Sequence, residues 1–298
     1  MKVRIGYGPG IGHGSASAEW FAGLVDGLEE LGFDSLWLPE RLAGPSADPL
    51  VGLAFAAGRT KRLKLGTSVL VVPGRNPVVL AKELATLDAL SGGRLLPAFG
   101  LGVADATEQQ AFGVRREERS AIFDEAIGLM RRAWTGEVVD HDGDHFHVHG
   151  FRLAVLPAQP VLEVWLGGVA PSELRRVGRQ SDGWLPSFIT PDEAAAGKIV
   201  VERAAADAGR AIDPEHFGAL VTYTLGEIPD RFRSFLQTRK PGIDPASIVA
   251  SGTSGIRTIL GRFLEQGFSK FVLAPIAPLP DTRAELDLLA AEVLPLQA

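Results

Sequence analysis

Short apolar runs alternate with longer amphipathic stretches along the 298-residue chain. Parallel strands that are buried on both faces, with helices packed outside them, produce this pattern. In the first unit, residues 3–7 form a predicted strand, and residues 17–31 place apolar side chains at helical spacing before Gly32, a residue type that commonly ends helices. The pattern therefore predicts repeated strand–helix units.

Eight such units can be followed along the sequence. The predicted strands are residues 3–7, 34–38, 63–71, 94–100, 162–166, 183–187, 217–225 and 270–274. The predicted helices are residues 17–31, 49–59, 77–90, 117–134, 171–180 and 191–208, helical segments between 229 and 264, and 282–294. Eight units predict an α/β fold, a closed (β/α)8 TIM barrel that forms a single domain over residues 1–298.

One segment, near residues 136–159, interrupts the alternation. It is rich in Asp, Gly and His and ends between Pro157 and Pro160, which predicts an insertion hairpin at the surface. His145, His147 and His149 would share one face of a strand there, a spacing that a metal ion can use. An exposed polar hairpin away from the strand ends explains the same residues, so no metal site is predicted.

Composition narrows the function classes. The net charge of −6 comes without a basic block, which argues against nucleic-acid binding and favours a small-molecule substrate. No apolar run approaches the roughly 20 residues that cross a bilayer, so we expect no membrane partner and a cytoplasmic location. The chain has no cysteine, which excludes thiol chemistry and favours a bound cofactor.

In barrels of this kind the active site lies at the C-terminal ends of the strands. The segments selected by this rule are 8–14, 39–41, 67–69, 100–107, 167–172, 186–187 and 274–275. The first of them is glycine-rich, but its glycines do not fit G-x-G-x-x-G, so it is no dinucleotide fingerprint. It is either a loop over the barrel mouth or a segment whose His13 contacts substrate.

The segment before the helix at residues 171–180 is a candidate phosphate site. Pro171 suits the first helical turn, whereas Ala170 at the cap position has no side chain to accept the free backbone N–H groups. Helix N-termini attract anions, and Gly167 and Gly168 let an anion approach the backbone. The sequence predicts phosphate binding at Gly167, Gly168, Val169 and Ala170, with a plain tight turn as the alternative.

Longer motifs carry a family resemblance. They are LGTSVLVVP at 65–73, RNP at 75–77, AKELATLDALSGGR at 81–94, FGLG at 99–102, WLGG at 165–168, RRVG at 175–178 and DGWLP at 182–186. With these motifs the chain resembles the bacterial luciferase-like oxidoreductases, and most closely their coenzyme F420-dependent branch. The resemblance covers residues 6–186.

The resemblance implies that F420, or alternatively FMN, lies across the strand ends. Its ring would rest on a bulge in the third strand with a non-prolyl cis peptide, which Ser68 and Val69 match, while Glu40 faces the polar edge of the ring. Residues 167–170 match the phosphate loop. Thr67 and Val103, which lie in segments selected by the strand-end rule, are predicted to belong to the same cofactor site.

Two positions depart from some members of the family. Arg41 stands where those members have a catalytic histidine, and Asp105 stands about where they have a catalytic glutamate, so their sugar-phosphate chemistry does not carry over. Arg41 and Asp105 are predicted as an ion pair that either polarises or protonates a substrate or only shapes the pocket. With His13 they are the candidate catalytic residues.

The leading hypothesis is hydride transfer between F420 and a small organic substrate. The alternatives are an FMN-dependent luciferase-like monooxygenase and a cofactor-binding barrel without catalytic activity. The resemblance also implies a homodimer that uses the second and third helices.

Overall fold

The computed structural model describes residues 1–10 and 17–297. The strands in this part of the chain are β1 (Arg4–Tyr7), β2 (Ser35–Leu38), β3 (Lys64–Thr67), β4 (Leu70–Val71), β5 (Leu95–Leu96), β6 (Ala98–Gly100), β7 (Val139–Asp142), β8 (His147–Phe151), β9 (Trp165–Leu166), β10 (Gly183–Trp184), β11 (Gly218–Thr224), β12 (Ala250–Ser251) and β13 (Lys270–Ala277). The α-helices are α1 (Ala18–Leu31), α2 (Pro49–Arg59), α3 (Pro77–Ser91), α4 (Ala106–Phe112), α5 (Arg119–Trp134), α6 (Pro171–Gln180), α7 (Pro191–Asp207), α8 (Asp230–Arg239), α9 (Gly252–Glu265) and α10 (Thr282–Glu292).

Local sequence signals fix the ends of the early helices. Asp48 and Asn76 accept backbone N–H groups at the first turns of α2 and α3, and each helix begins with a proline. Gly32 ends α1 in the left-handed conformation with φ 82°, as its position predicted. These caps explain why the helix boundaries follow closely from the sequence.

The strands close into the predicted barrel. One parallel sheet has the order β12-β11-β13-β1-β2-β3-β5, and a second has the order β10-β9-β6-β4. The chain runs directly from β3 into β4 and from β5 into β6, so each of these pairs forms one stave that belongs to both sheets. Parallel bridges from Trp184 to Phe217 and from Ser187 to Leu220 join β10 to β11. Eight staves therefore form a closed ring, which confirms the (β/α)8 fold.

Large aromatic side chains fill the barrel interior. Trp37 and Trp165 are fully buried with Leu96, Leu185 and Val272. A second, larger apolar layer lies between the outer faces of the strands and the surrounding helices. The interior is thus a packed core, which leaves the strand ends as the place for a ligand.

The segment after α5 forms the predicted antiparallel hairpin, β7 and β8. It is fastened to the barrel, because Glu125 of α5 pairs with His141 and accepts the backbone N–H groups of His145 and Phe146. His147 and His149 pair with Asp142. Within residues 1–10 and 17–297, no group of three or more His, Asp or Glu side chains is arranged to hold a metal ion.

Two further features complete the fold. Helix α4, which the sequence analysis did not predict, follows β6 at the C-terminal face of the barrel. No helix in the described part of the chain is long and apolar enough to cross a membrane.

Candidate functional site

A low, partly open floor lies at the C-terminal ends of three neighbouring staves. Val69 is half-buried above β3, and Gly100 and Gly167 follow β6 and β9 beside it. A Cβ atom on Gly100 would lie 2.5 Å from Val69 Cγ2, and one on Gly167 would lie 3.5 Å from Val69 Cγ1. The absence of side chains at Gly100 and Gly167 therefore lets Val69 lie close to the backbone that follows β6 and β9.

The Ser68–Val69 peptide bond is cis, which confirms the expectation that followed from the family resemblance. The Val69 carbonyl accepts the backbone N–H of Glu40 at 3.3 Å. Thr67, in contrast, is fully buried, and its hydroxyl donates to the Ala98 carbonyl and accepts the Ala98 N–H. The Thr67 side chain therefore bridges two staves of the barrel wall, and the assignment of Thr67 to the cofactor site stays a prediction.

Glu40 lies at the edge of this floor and is almost completely buried. One carboxylate oxygen accepts the Val71 N–H at 2.6 Å, and the other accepts a hydrogen bond from Arg75. Arg75 also donates to the Val71 carbonyl at 3.1 Å. Burial raises the pKa of Glu40, while the Val71 amide and the Arg75 guanidinium act in the opposite direction. The Glu40 carboxylate thus has a fixed orientation.

The predicted ion pair between Arg41 and Asp105 is wrong. Arg41 Nε donates to Glu108 Oε1 at 2.8 Å, and the Glu108 side chain is only 5% exposed. Asp105 is exposed and caps α4, with its carboxylate accepting the Glu108 N–H at 3.0 Å. The acidic partner of Arg41 is therefore one helical turn further along the chain than the sequence indicated.

The loop after β6 has its own support. Arg119 of α5 donates to the carbonyls of Leu101, Gly102 and Val103 at 3.1–3.3 Å, and Gln109 donates to the Val103 carbonyl at 3.0 Å. These residues line a recess beside the floor, together with Val71, Pro73, Glu108, Phe112 and Val114. Val103 thus lines this recess, and its role in cofactor binding stays a prediction.

The segment before α6 differs from the prediction. The N–H groups of Val169 and Ala170, which were expected to be free, both donate to Glu173 Oε2 at 2.9 Å. Gly167 and Gly168 form the turn, with Gly168 at φ 96°. The predicted loop is therefore present, but its two amides bind the Glu173 carboxylate of the chain itself. A phosphate could bind these amides only after the Glu173 side chain had moved.

The remaining predicted residue, His13, lies outside the described residues. The structure brings together Glu40, Arg41, Val69 and Val103 around one floor. Sequence reasoning missed Arg75, Glu108, Arg119 and Glu173. Two of these four had a usable signal, since Glu108 and Glu173 each lie three residues after a helix cap, the spacing of a capping box.

Comparison with protein families gives a match over residues 3–244 to the family described as luciferase-like monooxygenase. An F420-dependent glucose-6-phosphate dehydrogenase from Intrasporangium calvum is 37% identical over 188 residues, which are 57% of this chain and 55% of the relative. The chain thus spans about half the length of that relative. A second protein of that name, from Nakamurella multipartita, is 31% identical over 258 residues, 80% of this chain and 71% of the relative.

A solved structure of an F420-dependent secondary alcohol dehydrogenase superposes with a TM-score of 0.83 at 21% identity, and the match covers 100% of both chains. The F420-dependent tetrahydromethanopterin reductase from Methanopyrus kandleri gives a TM-score of 0.80 at 18% identity, again over 100% of both chains. Because both sequence identities are low, these two structural matches establish only the fold of the chain.

Proposed function

The chain belongs to the luciferase-like monooxygenase family, and from this premise we propose that it is an F420-dependent oxidoreductase that transfers a hydride to or from a small organic substrate. The observation that carries the proposal is the floor of Val69, Gly100 and Gly167 beside the buried Glu40. The names of the relatives, F420-dependent dehydrogenases, support the choice of cofactor.

In this proposal the ring of the cofactor would rest on Val69, where Gly100 and Gly167 contribute no side chains. Glu40 would lie at the edge of the ring, with its orientation fixed by Arg75 and Val71. When bound, F420 would donate or accept the hydride, and the protein would hold the reacting atoms in place. The amides of Val169 and Ala170 would bind its phosphate once Glu173 had moved away.

Arg41 is the residue that we assign to the substrate. Its side chain is 30% exposed, and Glu108 fixes its Nε, so the other guanidinium N–H groups can donate to a substrate oxygen. An arginine does not lose its proton in proteins, so Arg41 would stabilise negative charge on that oxygen without supplying the proton. We assign the proton transfer to Asp105 or His13, which remain the other catalytic candidates.

Binding titrations test the choice of cofactor. The protein, freed of small molecules, is titrated with F420 and with FMN, and oxygen consumption is followed with each reduced cofactor. We expect saturable binding of F420 and no oxygen consumption. Tight binding of FMN with oxygen consumption, and no affinity for F420, would instead identify a flavin monooxygenase. Binding of F420 without turnover of any alcohol or ketone would identify a barrel that only binds the cofactor.

We also propose a homodimer that forms through α2 and α3. Val51 and Phe55 on α2 and Val79 and Leu90 on α3 are exposed apolar side chains. Apolar residues concentrated on neighbouring helices are typical of surfaces that become buried on association.

As part of the same proposal the enzyme works in the cytoplasm, since the chain has no cysteine for the disulfides of exported proteins.

Light scattering after gel filtration tests the dimer. The wild-type protein should have the mass of two chains, and a Val51→Glu/Phe55→Glu double variant should have the mass of one, because two buried carboxylates would face the partner. Ile199→Glu, which changes an exposed residue on α7, should leave the dimer intact. A wild-type mass of a single chain would exclude the dimer.

A further inference from the structure

We propose that the cleft accepts an uncharged alcohol or carbonyl compound with an apolar body and discriminates against a sugar phosphate. The inference rests on the proposed function, since it concerns the substrate of the same site. It comes from the charges around the floor, where cations are paired with carboxylates of the chain itself. The names of two relatives specify glucose 6-phosphate, which makes this sugar phosphate the charged substrate to test.

Arg41 is the first of these cations. Its partner Glu108 is one of the most buried carboxylates of the site, at 5% exposure, and lies 2.8 Å from Arg41 Nε. The pair has no net charge, so it attracts a phosphate dianion only weakly. Arg41 has further N–H groups besides the one at Nε that contacts Glu108, and these can donate to a neutral hydroxyl or carbonyl oxygen.

Arg75 is the second cation, and more negative charge lies near its guanidinium than near that of Arg41. It contacts the buried Glu40 carboxylate, and Asp48 lies 4.0 Å from the same guanidinium nitrogen. Two carboxylates therefore surround one guanidinium at this side of the floor. A phosphate placed here would meet net negative charge, and it would lose hydration that the chain does not replace.

An apolar cluster is buried near the C-terminal ends of β10 and β13. Phe188 after β10 and Ile276 near the end of β13 are buried in one cluster with Ile228, Leu236, Ile248 and Val249. Phe188 has the left-handed φ of 53°, which is uncommon for a large side chain and is found mostly where function requires a special conformation. The recess beside the floor, in contrast, is open to a ligand and is lined largely by apolar side chains, among them Val71, Val103 and Phe112, which suits an apolar substrate body better than a hydrated sugar.

The cations next to this apolar cluster do not offer a strong phosphate site. Lys240 donates to both carboxylate oxygens of Glu193 at 2.6 and 2.8 Å and to the Phe188 carbonyl at 3.1 Å. Arg239 stacks on the Phe188 ring, with its guanidinium carbon 5.3 Å from the ring centre. Lys240 is therefore compensated like Arg41 and Arg75, and Arg239 is the group that a phosphate would have to use.

Calorimetric titration tests the inference without turnover. The F420-loaded and the cofactor-free protein are each titrated with cyclohexanone, with 4-oxocyclohexanecarboxylate and with glucose 6-phosphate. We expect the neutral ketone to bind at least about tenfold more tightly than either anion, which corresponds to about 1.4 kcal/mol. Tighter binding of either anion, or no binding of the ketone, would overturn the inference.

Glu108→Gln removes the charge that compensates Arg41 and keeps the shape of the side chain. The ratio of ketone to carboxylate affinity should fall about tenfold in this variant. Glu118→Gln is the matched control, because Glu118 pairs with Arg115 at the surface, and it should leave the ratio unchanged. An unchanged ratio in Glu108→Gln would overturn the inference.

Two further measurements keep the result interpretable. Glu40→Gln uncovers Arg75 in the same manner and should also shift the ratio towards the anion, which provides a second test if Glu108→Gln does not fold. Arg239→Met should not change the affinity for the ketone. If the wild-type protein instead prefers glucose 6-phosphate and Arg239→Met loses that binding, Arg239 is the group that holds the phosphate, and the inference is overturned. Absence of F420 binding would reject the proposed function, whereas F420 binding with a preference for the sugar phosphate would reject only the present inference.

Discussion

Glu40 and Glu108 determine the electrostatics of the cleft, and each is buried against a guanidinium. A buried carboxylate is stable only while its partners stay in place, because the loss of one partner leaves an uncompensated charge in a poorly hydrated site. Glu40 depends on two partners, the Val71 amide and Arg75. The side chains that orient the floor therefore also contribute to the stability of the barrel mouth.

Arg75→Met should destabilise the protein by about 3 kcal/mol, the lower part of the range for breaking a buried ion pair, because Arg75 itself is partly exposed. It should also move the pKa of Glu40 further upward, since burial already raises it and the compensating cation is gone. Urea unfolding at several pH values measures both effects. Arg115→Met, which breaks the surface pair with Glu118, should change stability little, and equal losses in the two variants would contradict the account.

At the scale of elements, α6 and α7 pack unusually closely. Gly178 of α6 lies against the backbone of α7 and makes this approach possible, since a Cβ atom there would lie 2.6 Å from Ala204 Cβ. Closely packed helices position the loop before α6, where Val169 and Ala170 begin the helix. The spacing of the two helices thus contributes to the geometry of the candidate phosphate segment.

Gly178→Ala should destabilise the protein by about 2 kcal/mol, because an added methyl group forces α6 and α7 apart. Gly128→Ala in α5 is the matched control, as its Cβ would have open space around it. That variant should gain about 0.5–1 kcal/mol from the better helix propensity of alanine. Thermal unfolding followed by circular dichroism compares the two, and a stabilising Gly178→Ala would show that the helices tolerate the extra volume.

Helices were easier to predict than strands, for a physical reason. The caps of α2 and α3 are local signals, so the bounds of α2 were predicted to the residue and those of α3 within one residue. The strand predicted at 63–71 is two strands, β3 and β4, which are separated by Ser68 and Val69, and periodicity alone does not show such a break. The position of that bond came from the family resemblance.

Side-chain pairing in the site was the least predictable feature. Arg41 and Asp105 are both strand-end residues, but the capping role of Asp105 turns Glu108 towards Arg41 instead. Helix α4, which carries Glu108, spans seven residues and shows too little periodicity to be recognised in the sequence. Its signals were the Asp105 cap and the left-handed Gly113 that follows the helix.

At the scale of the whole molecule, the two ends of the barrel differ in their chemistry. The C-terminal end carries the open floor, whereas the opposite end is closed around Lys270, the first residue of β13. Its ammonium group is 4% exposed, 3.8 Å from Asp34 and over the Trp165 ring. Burial lowers the pKa of Lys270 to about 8. This end therefore contributes a titratable core residue that is separate from the candidate active site.

Stability should rise with pH because of Lys270. Between a folded pKa of about 8 and the ordinary value of 10.5, the unfolded chain binds more protons than the folded one, so deprotonation favours folding. The gain should be about 3 kcal/mol across this window, and below pH 8 it should be absent. Chemical unfolding from pH 7 to 10.5 measures it as the difference between wild type and Lys270→Met, with the exposed Lys61→Met as control. Parallel pH profiles for wild type and Lys270→Met would contradict the assignment.

If F420 lies on the floor of Val69, Gly100 and Gly167, a side chain at Gly100 should impair its binding, which a titration of wild type and Gly100→Ala with F420 measures. The added methyl group would meet Val69 at 2.5 Å and occupy the space of the ring, whereas Gly23→Ala on α1 meets nothing within 4 Å. We expect saturable F420 binding by wild type and Gly23→Ala, and binding weakened about tenfold or more in Gly100→Ala. Because the approach of 2.5 Å forces Val69 to shift, the melting temperature of Gly100→Ala should also fall, and F420 is titrated at a temperature at which circular dichroism shows all three proteins to be folded. No binding by wild type, or equal affinity in all three proteins, would contradict this placement of F420.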